Sequence, residues 1–303
     1  DNLAIIGGAM ANMRRGRHLI TTTIEHPAVL ESMKYLESQG FEVAYLPVDE
    51  YGIVSPDLVE EAVRDDTILV SVMHTNNEIG TLEPIREIAK RIKAKNPSVL
   101  FHVDAVQGFG KAQIYPKKWG IDLLSASGHK IHAPKGTGFL YIGDKVKVKN
   151  LIFGGGQQGG MRSGTEATAQ IAGFAAACAA VMADRERLER TAAIRDYTLS
   201  RLQEELPMLE VISAHGAPHI CAVTLPGYKS EVVVRVLGDR GVCISSGSAC
   251  HKGKPSHVYA ALGLNKKILD GILRISFSYD TTCEDVDALA EGLAAAQKGL
   301  FTS

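Results

Sequence analysis

Two periodicities divide the chain. Short apolar runs without polar alternation occur at His18–Ile24, Thr67–Met73, Val99–Val103 and Leu123–Ala126, and a fifth strand is read at Glu42–Leu46. Runs of this kind predict strands buried on both faces. Between them, Pro27–Gln39, Ser55–Val63 and Ile85–Lys95 carry apolar residues at helical spacing. Strand–helix alternation predicts an α/β architecture, a mostly parallel sheet with flanking helices, in which ligands gather at the carboxyl ends of the strands.

The pattern changes after Gly164-Thr165. Glu166 to about Leu206 reads as one long helical region, Ala-rich and then charged. Val211–Ser278 predicts shorter strands and two helical pieces. Glu284–Leu300 predicts a closing helix with Leu289, Leu293 and Ala296 on one face. Two domains are expected, residues 1–184 and a smaller α+β C-terminal domain over residues 185–303. No internal repeat or low-complexity linker interrupts them.

Composition narrows the class. The 303 residues are 45% hydrophobic and 22% charged, an ordinary globular balance that excludes a disordered or collagen-like chain. Lys and Arg number 33 against 34 Asp and Glu. That leaves no overall basic field, so neither nucleic acid nor a membrane surface is an expected partner. The most apolar stretch, Ile171–Ala183, is too short to span a bilayer. Five cysteines, Cys178, Cys221, Cys243, Cys250 and Cys283, form no CxxC pair. An odd count without that spacing argues against a disulfide framework or a zinc ribbon and for a reducing cytoplasm. No metal site is expected: Cys243, Cys250, His251 and His257 match no zinc spacing. The chain opens Asp1-Asn2-Leu3, without an initiator methionine, which implies a processed, trimmed or incomplete start.

The chemistry collects where strands end. His26 follows the first strand, and His74-Thr75-Asn76-Asn77-Glu78-Ile79-Gly80 follows Thr67–Met73. Asp104 and Gln107 follow Val99–Val103, and Ser127-Gly128-His129-Lys130 follows Leu123–Ala126. One Asp after a strand is ordinarily a helix cap, and one Lys is ordinarily solvated. Together they are the parts of a pyridoxal phosphate site. A lysine forms the Schiff base, a carboxylate keeps the ring nitrogen protonated, and an imidazole stacks on the ring.

Six ordered segments make the resemblance specific. They are Thr23-Ile24-Glu25-His26, Met73 to Gly80, His102-Val103-Asp104-Ala105-Val106-Gln107, Ser125-Ala126-Ser127-Gly128-His129-Lys130, Gly160-Met161-Arg162-Ser163-Gly164-Thr165 and Ser245-Ser246-Gly247-Ser248-Ala249-Cys250. The chain resembles the NifS/IscS-like cysteine desulfurases of the class V aminotransferase family. That resemblance implies the pyridoxal-phosphate transferase fold type I, with a seven-stranded type of sheet. It also implies a homodimer converting L-cysteine to L-alanine, the sulfur passing as an enzyme persulfide to an acceptor protein, either an iron–sulfur scaffold or another thiol acceptor.

By the same resemblance Lys130 would be the Schiff-base lysine. His26 would stack on the ring of pyridoxal 5'-phosphate and assist proton transfer. Asp104 would pair with the ring nitrogen, Asn77 and Gln107 with the ring oxygen, and Ser127 and His129 with the phosphate. Thr165 would reach the phosphate bound by a second subunit. Arg274 would grip the substrate carboxylate, with Asn77 beside it, because a planar guanidinium binds carboxylate bidentately. Cys250 would be the nucleophile. Glycine and charge flank it, and Lys252 and Lys254 favour its thiolate. The other four cysteines read as structural.

Three departures from the family pattern bear on function. The chain matches the family from just after its phosphate-binding turn, so part of that cradle is expected to be absent. Gly154–Gly160 replaces a more charged loop. The segment from Cys250 to Ser256 is about two residues shorter than is common, which reduces reach. A selenocysteine lyase, or a catalytically silent fragment of this fold acting as a binding or dimerisation partner, is therefore the alternative expectation.

Overall fold

The structure, a computed structural model, describes residues 1–213, 216–247 and 256–299. The described chain forms two compact units. One comprises Asp1–Asp49, Ile53–Asn76 and Glu83–Asp184, and the other Glu50–Gly52, Asn77–Leu82 and Arg185–Ser303.

The first unit holds β1 (His18–Thr22), β2 (Glu42–Leu46), β3 (Thr67–Ser71), β4 (Leu100–Asp104), β5 (Leu123–Ser127) and β6 (Gly138–Ile142). Their order is β2-β1-β3-β4-β5-β6. All neighbours are parallel except β5 and β6. Its helices are α1 (Gly8–Asn12), α2 (Pro27–Ser38), α3 (Pro56–Ala62), α4 (Ile85–Lys95), α5 (Pro116–Trp119) and α6 (Thr168–Ala183). Six strands, rather than the seven expected, make this sheet among the described residues. Strand order reverses between β1 and β3, and a doubly wound sheet opens a ligand crevice at such a reversal.

The apolar runs make two cores because successive strand side chains point to opposite faces. Ile20, Val70, Phe101 and Leu124 pack with Ile85, Ile88 and Ile92 of α4 and Val59 of α3. Their neighbours Leu19, Leu69, Leu100 and Leu123 pack with Val29, Met33 and Leu36 of α2 and with Ala4, Ile5 and Ala9. Both faces are therefore dry, which is why the strands lack polar alternation.

The second unit holds α7 (Arg187–Glu205), β7 (Glu210–Val211), β8 (Ile220–Thr224), α8 (Ser230–Gly238), β9 (Ser245–Ser246), α9 (His257–Ala261), α10 (Lys266–Asp270), β10 (Ile272–Ser276) and α11 (Cys283–Gly299). The sheet order is β7-β8-β10-β9, with every pair antiparallel. Leu289, Leu293 and Ala296 of α11 pack with Cys221, Val223, Leu273 and Ile275, the face expected of the closing helix.

Three expectations are corrected. The long helical region is two helices, because Asp184 leaves helical geometry at φ −88°, ψ 88°. Among the described residues the tail contains three helices, not two. Cys243 and Cys283 are exposed rather than packed as structural thiols.

Candidate active site

The first unit assembles its chemistry at the carboxyl ends of β1, β3, β4 and β5. His26 caps α2, its Nδ1 accepting from the Ala28 N–H at 3.1 Å, and its ring is exposed. Pro27 at the first helical position fits the required φ and removes a donor that would have no helical partner. Asp104 closes β4 and is buried, and its Oδ1 accepts from the Val106 N–H at 2.9 Å. Burial pushes this carboxyl up, opposed by the Val106 N–H, by the Asp1 amino group and, to a smaller extent, by the charges of His26 and Lys130. The imidazole, the carboxyl and the amine thus stand at the carboxyl ends of β1, β4 and β5.

Beyond Asp104 the chain turns tightly. The Gly108 and Phe109 N–H groups both donate to the Ala105 carbonyl, leaving Gln107 half-buried in the turn. A Cβ on Gly108 would meet His74 Nδ1 at 2.6 Å, so glycine is what lets this turn sit on His74. The His74 ring is buried, which pushes its pKa down to about 4 and keeps it neutral.

At the end of β5 the Ser127 hydroxyl and His129 Nδ1 lie 2.7 Å apart. Lys130 follows in a short 3₁₀ turn, Gly128–Ile131. Desolvation lowers the His129 pKa, and Lys130, Lys135 and Lys111 lower it further. Thr165 is exposed in the segment before α6. Cys250, with His251, Lys252 and Lys254, lies outside the described residues.

Asn77 and Arg274 belong to the second unit. Arg274 Nη1 donates to the Asn77 carbonyl at 3.0 Å, and Nη2 donates to Ser245 Oγ at 3.1 Å. Asn77 Oδ1 and Arg274 Nε are buried without a hydrogen-bond partner among the described residues.

Sequence reasoning passed over two buried groups at this edge of the first unit. Glu25 Oε1 accepts from Thr22 Oγ1 at 2.7 Å and from the Met73 N–H at 3.0 Å, joining the ends of β1 and β3. Burial holds its carboxyl well above the usual range. Lys111 is half-buried, and desolvation followed by the charge of Lys130 pushes its pKa down to about 8. An acidic residue directly before His26 was the available signal for Glu25. Lys111 gave none.

The residues present fit a phosphorylated pyridine. A buried carboxyl closes β4, and a hydroxyl–imidazole pair lies beside the lysine at the end of β5. Thr23 Oγ1, just before Glu25, is buried with no hydrogen-bond partner among the described residues. No group of three or more His, Cys, Asp or Glu able to hold a metal occurs among the described residues.

The class-V aminotransferase profile matches residues 1–289. A cysteine desulfurase IscS of Methanosarcina thermophila is 45% identical over 299 residues, covering 96% of this chain and 72% of that protein. A cysteine desulfurase IscS of Clostridium botulinum is 43% identical, covering 97% and 75%. Among solved structures, a NifS-like protein superposes with a TM-score of 0.92 at 35% identity, covering 99% of this chain and 80% of its own. Profile, relatives and fold agree along nearly the whole chain, which therefore belongs to the class-V aminotransferase family, among its cysteine desulfurases.

Proposed function

We propose that this protein is a cysteine desulfurase that binds pyridoxal 5'-phosphate, takes L-cysteine and releases L-alanine. The sulfur is retained as a persulfide for transfer to a thiol-bearing acceptor protein. The observation that carries this reading is the gathering of His26, the buried Asp104 and the Ser127–Lys130 turn at the carboxyl ends of β1, β4 and β5 of one sheet. The relatives' names supply the reaction.

The family depends on pyridoxal phosphate, and here Asp104, His26, Gln107, Ser127, His129 and Lys130 of the first unit would hold it. When bound, it supplies an electron sink for charge developing at the substrate Cα. Lys130 Nζ takes the Cα proton. Asp104, buried at the end of β4, is the carboxyl that would pair with the ring nitrogen. Arg274 binds the substrate carboxylate through its planar fork. Cys250 accepts the sulfur, as its thiolate is the nucleophilic form.

A second copy of the chain completes the unit in this reading. Helix α6 is apolar, yet only Phe174 and Val181 are buried, while Ile171 and Met182 are 47% and 77% exposed. An apolar helix left this open is suited to an interface. Cys178, Cys221, Cys243 and Cys283 are free thiols, which supports a reducing, cytoplasmic setting. No helix among the described residues is long and apolar enough to cross a membrane.

The test is alanine release from L-cysteine by the loaded protein, set beside Lys130→Ala and Cys250→Ala. Loss in both variants is expected. Unchanged release from Cys250→Ala would remove that residue as the sulfur acceptor. Turnover of L-selenocysteine alone would transfer the assignment to a lyase.

A further inference from the structure

Arg274 sits in the middle of β10, between β8 and β9. The register sets it opposite Ala222 on one side and Ser245 on the other. Directly opposed residues of an antiparallel pair project to the same face, so Ser245 and Arg274 are side-by-side neighbours. Ala222 offers no polar side-chain atom. The guanidinium is held at two points, Nη2 on Ser245 Oγ at 3.1 Å and Nη1 on the Asn77 carbonyl at 3.0 Å. Its Nε is buried and makes no hydrogen bond among the described residues.

A guanidinium presents five N–H groups in a rigid plane. Fixing two of them fixes the direction of the remaining three. Without the serine hydroxyl, the plane could turn about the single remaining contact at Asn77. A bidentate grip depends on that plane being set before the ligand arrives, because ordering it afterwards costs affinity.

We infer that Ser245 is a positioning residue for the substrate carboxylate, acting through Arg274. This rests on the reading of Arg274 given above. Ser245 touches neither reacting atom nor cofactor in this account. Its hydroxyl aims the fork, and the same guanidinium anchors the Asn77 backbone, so one hydroxyl orders two residues of the second unit.

The experiment uses the loaded full chain with Ser245→Ala, Ser245→Thr and Arg274→Ala. For Ser245→Ala, KM for L-cysteine should rise about tenfold, the scale of one hydrogen bond to a charged group. Its kcat should fall less than twofold. The inhibition constant of L-alanine, which carries the same carboxylate, should rise by the same factor. The cofactor absorption band before substrate is added and the thermal midpoint should match the parent. Ser245→Thr, which keeps the hydroxyl, should recover most of the KM.

If Arg274→Ala raises KM while Ser245→Ala leaves both KM and the L-alanine constant at parent values, the inference about Ser245 is overturned and Arg274 stands. If Arg274→Ala itself leaves KM unchanged, the carboxylate reading fails at its root. A Ser245→Ala protein with lowered kcat and thermal midpoint and an unmoved KM would make Ser245 a residue of the fold only, which also overturns the proposal.

Discussion

Glu83→Gln should flatten the dependence of the first unit's stability on pH. Glu83 is 5% exposed. Its Oε2 accepts from the Val54 N–H at 3.0 Å, and Oε1 makes no hydrogen bond among the described residues. Burial is the main cause that pushes this carboxyl from an ordinary 4.5 up to about 8; the charge of Asp49 adds to it and the Val54 N–H opposes it. A raised carboxyl holds its proton more tightly in the folded state. Its contribution is fully present below pH 4.5 and is lost as pH rises to about 8. One pKa unit corresponds to about 1.36 kcal/mol, so the whole span amounts to roughly 5 kcal/mol. Between pH 5.5 and 7.5 the fall is about 3 kcal/mol. Glutamine keeps the acceptor for Val54 and replaces the other oxygen with a buried donor. That costs about 1–3 kcal/mol at every pH but does not titrate. Denaturant unfolding at pH 5.5, 6.5 and 7.5 separates the two effects. The variant should be the less stable at pH 5.5, and its deficit should close by about 3 kcal/mol by pH 7.5. A difference constant across the three pH values would refute the assignment of a raised carboxyl to Glu83.

Other consequences follow from the same structure. Asp104→Asn removes the carboxyl read as the partner of the ring nitrogen, and should slow alanine release about 10²–10⁴-fold while leaving the protein folded, checked by single-turnover rates and circular dichroism. Phe101→Ala empties a fully buried ring from the β4 core and should cost about 3–5 kcal/mol in denaturant unfolding. Gly80→Ala places a Cβ 2.8 Å from the Ile220 carbonyl at φ +72°, and should lower the second unit's stability by more than about 1 kcal/mol, read from hydrogen exchange at β8.

The strand ends were legible because two-sided burial leaves a largely apolar run that stops where polar residues cluster. Asp104 and Ser127 are the last residues of β4 and β5, and each opens such a cluster. Helix α4 matched residue for residue because Ile85, Ile88, Ala89 and Ile92 recur at helical spacing against charged neighbours. Strand β6 escaped notice. It is an edge strand, and its Gly138-Phe139-Leu140-Tyr141-Ile142 is nowhere fully buried, so it shows no pattern of its own. The break at Asp184 was invisible for a different reason. Helical composition continues on both sides, and no glycine or proline marks the end of α6. Ser245 carried no signal because β9 is two residues long and its meaning lies in the register with Arg274, which only tertiary pairing sets. Apart from the place of Glu25 directly before His26, Glu25 and Glu83 could not be told from surface carboxylates by sequence. What distinguishes them is the water they have lost.

The central claim is that Lys130 and Cys250 act in one cysteine desulfurase reaction. The most direct test adds L-cysteine to the purified chain loaded with pyridoxal phosphate and follows alanine release together with the intact mass. The account predicts one alanine per added sulfur atom, with that sulfur mapped to Cys250 in the parent protein and absent from both Lys130→Ala and Cys250→Ala. Alanine without sulfur on Cys250, or sulfur on Cys250 in the Lys130→Ala protein, would contradict it.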